Sequence, residues 1–290
     1  MTGLGLALAG SLSWAALDAT RKALVGRMEP TTAAGWLALL PAPLFWAWWG
    51  LDGALGGAPF APDPGYWRLG AAILAMQTVA NALLLRALSA SPLSATIPFL
   101  SLTPAFTSLV ALVALGEHPS LAQWVGIALV TVGALLVNAV RGVDPFTALW
   151  REPGSRMVVL VAALWSITGT LDKVALELSS VPFHGAVQAS GVGLILLAIV
   201  RLRRGPGSLT VPRPARTWLL VSGLLAAGAI GLQLAAIRLV LVGVVEALKR
   251  AIGLASSVLV GRIAFEEPLT AARLVAVVVM AIGSALLTLG

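Results

Sequence analysis

The sequence predicts an all-α integral membrane protein of ten transmembrane helices, arranged as two inverted repeats of five. Three observations carry that expectation. The chain of 290 residues is 59% hydrophobic and 11% charged, against roughly 25% charged in soluble domains, and its mean hydropathy is +0.96. Its apolar runs are each about 20 residues long, enough to cross a bilayer as one α-helix. Distinctive residues also recur at a nearly constant offset: Trp14 and Trp165, Lys22 and Lys173, and Trp67 and Trp218 at 151, Arg86 and Arg238, and Asn81 and Gln233 at 152, Glu117 and Glu267, and Gly133 and Gly283 at 150. Low complexity would align Leu with Leu, but it explains matched Trp, Lys, Arg and Glu poorly. An odd number of spans per half turns the second half over in the membrane, the arrangement of transporter repeats.

In chain order, the apolar runs start near residues 3, 32, 68, 94, 119, 157, 183, 216, 242 and 269. They divide into a first repeat over 1–140, a connection over 141–156 and a second repeat over 157–290. No basic residue precedes Arg21, so the first run lacks the charged start of a cleaved signal peptide and is expected to be retained. Pro41 and Pro43 in the second run, and Pro98 and Pro104 in the fourth, remove backbone donors and should kink or unwind those helices. Trp46, Trp48, Trp49, Tyr66 and Trp67 flank the second connection and read as an interfacial aromatic belt. The connections after runs 1, 3, 5 and 7 gather twelve cations, from Arg21, Lys22 and Arg27 through Arg141 to Arg213 and Arg216, whereas the other face offers Arg68, Arg238 and Lys173. The positive-inside rule then places both termini outside.

Several functions are excluded by what is missing. The formal charge of +7 falls between apolar runs, where it reports topology and not a nucleic-acid face. There is no cysteine, hence no disulfide, thiolate metal site or cysteine nucleophile. No GxxxxGK[ST] phosphate loop occurs, and with only His118 and His184 a zinc hydrolase lacks ligands. Lys249 and Ser256 are seven residues apart, too far along one helix for a serine nucleophile and its base. The chain is expected to be no enzyme, with neither cofactor nor metal.

The ninth run, VGVVEALKRAIGLASSVLVGRIAF over Val242–Phe265, carries the chemistry. Glu246, Lys249 and Arg250 lie roughly 6 to 12 Å from its start at 1.5 Å per residue. Each such charge costs about 2.5 to 3.5 kcal/mol near a helix centre, so it is kept where it faces a partner or a water-filled cavity. Glu246 reaches Lys249 at i+3 and Arg250 at i+4, which allows a structural ion pair. One carboxylate cannot neutralise two cations, which equally allows an anionic ligand. Asp18 and Lys22 are spaced i, i+4 on the first run and read either as an interfacial ion pair or as part of a polar path. Trp14 and Trp165 are either packing residues or cavity walls. Gly253, Ser257 and Gly261 form a small-residue stripe that suits close helix packing.

Ser94–Trp124, SATIPFLSLTPAFTSLVALVALGEHPSLAQW, followed by VGIALVTVGALLV, resembles the drug/metabolite transporter superfamily, EamA type. There a helix with a Pro-small-Phe segment ends in Leu-Gly-Glu, and a Gly-rich helix closes the half. RIAFEEPLTAARLVAVVVMAIGSALL repeats that ending in the second half, with Glu266 where the family has Gly. The resemblance implies ten helices around a central cavity lined by helices 1, 3, 4, 6, 8 and 9, and a substrate among amino acids, amines, sugars, nucleotide sugars and phosphorylated sugars. ALKRAIGLASSVLVG is similar to the ninth helix of the triose-phosphate and nucleotide-sugar branch, whose Lys-Arg dipeptide contacts phosphate. Where that branch has a further Lys, this chain has Leu100, which favours a carboxylate or a zwitterion.

The resulting expectation is a secondary active permease or exporter, working by alternating access in a bacterial cytoplasmic (inner) membrane. Its substrate would be a small polar metabolite with an anionic group, such as an amino acid or organic acid, and membrane lipids, with protons or a counter-substrate, its other partners. Lys249, Arg250, Glu246, Gln233, Asn81, Gln77, Trp14 and Trp165 are the expected substrate contacts. Asp18 and Asp172 are the expected coupling groups. A lipid flippase and a non-transporting receptor or scaffold are the alternatives.

Overall fold

The computed structural model describes residues 2–24, 27–56, 62–91, 96–139, 149, 151–265 and 271–289. Every described element is helical: α1 (Gly3–Leu24), α2 (Pro30–Leu39), α3 (Pro41–Ala54), α4 (Tyr66–Ala90), a 3₁₀ segment (Ile97–Leu102), α5 (Thr103–Leu115), α6 (Leu121–Ala139), α7 (Pro153–Glu177), α8 (Val181–Arg204), a 3₁₀ turn (Pro206–Leu209), α9 (Arg213–Ile237), α10 (Val242–Phe265) and α11 (Ala271–Leu289). Five segments are long and apolar enough to cross a membrane: Tyr66–Ala87, Pro98–Leu115, Pro153–Glu177, Val181–Arg204 and Arg213–Ile237. Leu121–Leu136 and Leu274–Leu289 are shorter apolar helices. α1 and α10 are 22 and 24 residues long and carry the charges discussed below.

The prolines act where the sequence places them. Pro41 has no N–H, so the helix pauses at Leu40, whose own N–H still reaches the Trp36 carbonyl. Pro98 and Pro104 bracket the other break, where the chain runs as 3₁₀ until Thr103 and only then as α-helix. Glu29 caps α2: its carboxylate accepts from the Thr32 N–H at 2.7 Å, from the Thr31 hydroxyl and from Arg204 at 2.8 Å. Burial would raise its pKa, but those hydrogen bonds outweigh burial and hold the carboxyl at about 2.

The start of α1, the ends of α5, α7 and α9 and the start of α10 meet at one end of the bundle, here the terminal face. α1 packs along α9 and α10, and α7 along α4 and α5. α6 pairs with α11, α10 with α5, and α8 with α2 and α3. The α6–α11 pair is close because glycines face each other: a Cβ on Gly126 would lie 2.7 Å from the Gly283 carbonyl, and one on Gly283 2.8 Å from the Gly126 carbonyl.

Two expectations need correction. Tyr66 is not an interfacial anchor. It is fully buried, and its hydroxyl bonds His184, whereas Trp46, Trp48 and Trp67 are exposed as a belt requires. Gly253 admits no close neighbour, since a Cβ there meets nothing within 4 Å; the surroundings of Ser257 and Gly261 lie outside the described residues. So do Glu266, Glu267, Ser94, most of the connection 141–156 and the Lys22 side chain.

The glycine contacts yield a contrast to measure by thermal unfolding of purified protein. Gly126→Val should lower Tm, at a cost of about 1 to 3 kcal/mol for overpacking against backbone. Gly228→Ala, where a Cβ meets open space, should leave Tm unchanged or raise it.

Candidate functional site

The charged residues of α10 meet α9 and α1 in one cluster. Lys249 Nζ lies 2.5 Å from Glu246 Oε1 and 3.4 Å from Gln233 Oε1, while Gln233 Nε2 donates to the same Glu246 oxygen at 3.1 Å. The ammonium also sits over the Trp14 ring, 5.3 Å from its centroid, a placement that stabilises a cation through the ring quadrupole. The position of Gln233 in the last turns of α9 and the i, i+3 spacing of Glu246 and Lys249 bring these groups together; Glu246 is buried at 6% exposure. Trp14, Gln233, Lys249, Ala7, Ser11 and Val245 line a narrow gap with no room for a water molecule.

Arg250 is the residue left over. Its Nε is buried and has no hydrogen-bond partner among the described residues. Glu246 and Asp18 are the carboxylates whose charges reach it, but Glu246 is engaged by Lys249 and Gln233. Asp18 is engaged as well, by Arg21 at 3.0 Å. The expected Asp18–Lys22 contact lies outside the described residues, because the Lys22 side chain does. The Arg21 guanidinium lies 5.5 Å from the centroid of the Trp14 ring, so a planar cation at i+3 satisfies the carboxylate and the aromatic face together.

The remaining expected residues stand apart from this cluster. Gln77 Nε2 donates to the Thr168 hydroxyl at 3.1 Å, and Asn81 Nδ2 turns back to the Gln77 carbonyl at 2.8 Å. Trp165 packs with Phe99, Leu100 and Val158 in an apolar cluster between α4, the 3₁₀ segment and α7. Trp14 and Trp165, matched in sequence, therefore have different surroundings, one beside cations and one apolar. Asp172 and Lys173, adjacent in sequence, part company: Asp172 Oδ1 is 3.0 Å from His184 Nε2, and Lys173 donates to Glu117 Oε1 at 2.6 Å. His184 Nδ1 is 3.0 Å from the Tyr66 hydroxyl.

Sequence reasoning did not single out Glu117, His184 or Tyr66 as members of polar constellations. For Glu117 a signal existed, because its carboxylate recurs in sequence at an offset of 150 as Glu267 in the second half. For His184 and Tyr66 the contact spans 118 residues, and no local pattern reveals it.

Apolar helices of this length, with charges gathered inside the bundle, define an integral multi-pass membrane protein. Residues 1–139 match the EamA-like transporter family. A solved structure, titled only "Crystal structure of protein", superposes with a TM-score of 0.81 over 99% of this chain and 97% of its own, at 15% identity. That likeness shows a shared fold. No curated protein matches the sequence.

The pairing predicts a non-additive response to mutation. Glu246→Gln should lower Tm strongly, because it leaves Lys249 with an unmatched, largely buried charge, a loss on the order of 3 kcal/mol. Lys249→Met combined with Glu246→Gln should recover part of that loss. Additive losses in thermal unfolding of the two single variants and the double variant would deny the coupling.

Proposed function

We propose that the protein is a secondary active transporter of a small polar metabolite carrying a carboxylate, such as an amino acid or organic acid. The observation that carries this reading is Arg250, a guanidinium whose buried Nε has no hydrogen-bond partner among the described residues, beside the Glu246–Lys249 pair. A planar fork of donors suits carboxylate or phosphate oxygens, and Lys249 one position earlier adds a second positive charge. Carboxylate is favoured over phosphate because Leu100, at the place of a further Lys in the branch that this helix resembles, lies in the apolar cluster with Phe99 and Val158. For a zwitterion, Glu246 would receive the amino group and Gln233 would orient it.

Alternating access between two inverted halves, 1–140 and 157–290, is the proposed mechanism. The helix pairings support it: exchanging the halves maps α1–α9 onto α7–α4 and α1–α10 onto α7–α5, while α6–α11 and α5–α10 map onto themselves. Such a repeat supplies two near-equivalent arrangements around one site. The EamA-like match of the first half supports transport as the activity. Asp18, paired to Arg21 and exposed, and Asp172, bonded to His184, are the proposed proton-coupling groups. The cation-rich face is proposed to be cytoplasmic in a bacterial inner membrane.

Melting-temperature shifts of purified protein with a panel of carboxylates, zwitterions and inorganic phosphate test the reading. A carboxylate should raise Tm, and Lys249→Ala or Arg250→Ala should weaken its binding roughly ten- to hundredfold, the loss of about 1.5 to 3 kcal/mol expected for a charge-assisted contact. Arg250→Lys, which keeps the charge and removes the fork, should weaken binding more than folding. Unchanged affinity in both alanine variants would make the group a structural element only.

A further inference from the structure

At the terminal face, one carboxylate ties the two halves of the chain together. α5 ends in Gly116, whose left-handed backbone, φ 65°, turns the chain and delivers Glu117 to the bundle interior. Glu117 Oε1 accepts from Lys173 on α7 at 2.6 Å, and its Oε2 accepts from the Val242 N–H that opens α10 at 2.9 Å. Lys173 Nζ also donates to the Val240 carbonyl at 3.3 Å. The short connection from α9 to α10 is thus pinned twice, once directly by Glu117 and once through Lys173.

That connection is also a plug. Val240 and Leu241, with Leu4 and Val244, floor an open depression of about 450 Å³ whose polar lining includes Arg238 and Lys173. One turn further along α1, at Ala7, and at the next residue of α10, Val245, begins the narrow gap lined by Lys249 and Gln233. The depression and the gap share α1 and α10: Leu4 and Val244 line the first, Ala7 and Val245 the second. Arg238 and Lys173, the residue whose charge holds the pin, both line the depression.

We propose that the depression is the outer mouth of a path to the Lys249 cluster between α1, α9 and α10, and that the Glu117–Lys173 bond is its gate. As a route for substrate, this rests on the transport reading above; as a gate to water and small reagents, it stands on the geometry alone. Breaking the bond frees the α9–α10 connection and exposes the buried Val245. Lys173 is the member that an arriving carboxylate can draw away from Glu117, which would couple arrival of the anion to opening.

Single cysteines test the gate in a chain that has none of its own. Thr288→Cys reports the depression, Val245→Cys the gap beneath the gate, and Ala80→Cys, fully buried on α4, the integrity of the fold. Purified protein is treated with a charged, water-soluble methanethiosulfonate, alone and with Glu117→Gln or Lys173→Gln added. The expected result is prompt labelling at 288 throughout, labelling at 245 accelerated at least about tenfold by either added substitution, and protection at 80 in every background. Lys173→Gln keeps the Glu117 bond to Val242, so it opens the gate with less disturbance of α10. An unchanged rate at 245 in both backgrounds would overturn the gate, and so would a rise at 80 parallel to that at 245. Because the readout is labelling, it can fail while the carboxylate test succeeds, and succeed while that test fails.

Discussion

A charge buried among apolar helices must find its partner within the protein, and this constraint fixes how α1, α9 and α10 sit together. Lys249 satisfies it three ways, with Glu246 along its own helix, Gln233 across on α9 and the Trp14 ring on α1. The contacts demand that all three helices keep their register, since sliding any one by a turn separates the ammonium from at least one partner. Ring and ammonium remove the need for water in a gap too narrow to hold it. Under the proposed function Arg250 is the group left to take an anion, because its buried Nε has no hydrogen-bond partner among the described residues.

The same constraint operates at the terminal face, where Asp172 and Lys173 lie toward the end of α7. Neither residue pairs with the other in the structure. Each reaches a different helix, Asp172 to His184 on α8 and Lys173 to Glu117 beyond α5. His184 in turn holds Tyr66 at the start of α4, so this end of α7 joins two helices of the first half through polar contacts. The glycine contact of α6 with α11 is of another kind, backbone against backbone, and depends on shape rather than charge. Polar ties at the ends and a close apolar seam between α6 and α11 divide the work: ties can exchange partners, whereas a packed seam resists sliding.

The helices were legible because apolar length and proline are local signals. Pro41 and Pro98 to Pro104 mark their breaks without any knowledge of the fold. The Glu246–Lys249 pair was legible for the same reason, a spacing of three on one helix. Partner choice across helices was not. Asp18 had Arg21 and Lys22 within reach, and the Trp14 ring, which also engages Arg21, is four residues away on the same helix. Asn81 and Gln233 match in sequence, yet Asn81 bonds its own helix and Gln233 bridges to Glu246. Gly253 misled because a stripe of small residues signals close packing only when a neighbour is present.

The central claim is that Arg250 completes its hydrogen bonding with an anion, and a structure determined with a bound carboxylate tests it most directly. The account predicts a carboxylate oxygen about 2.7 to 2.9 Å from the Arg250 guanidinium, the range of charge-assisted hydrogen bonds, with Lys249 still beside Glu246. A carboxylate bound away from Arg250, or an Arg250 whose Nε bonds a protein group while the ligand is present, would contradict it.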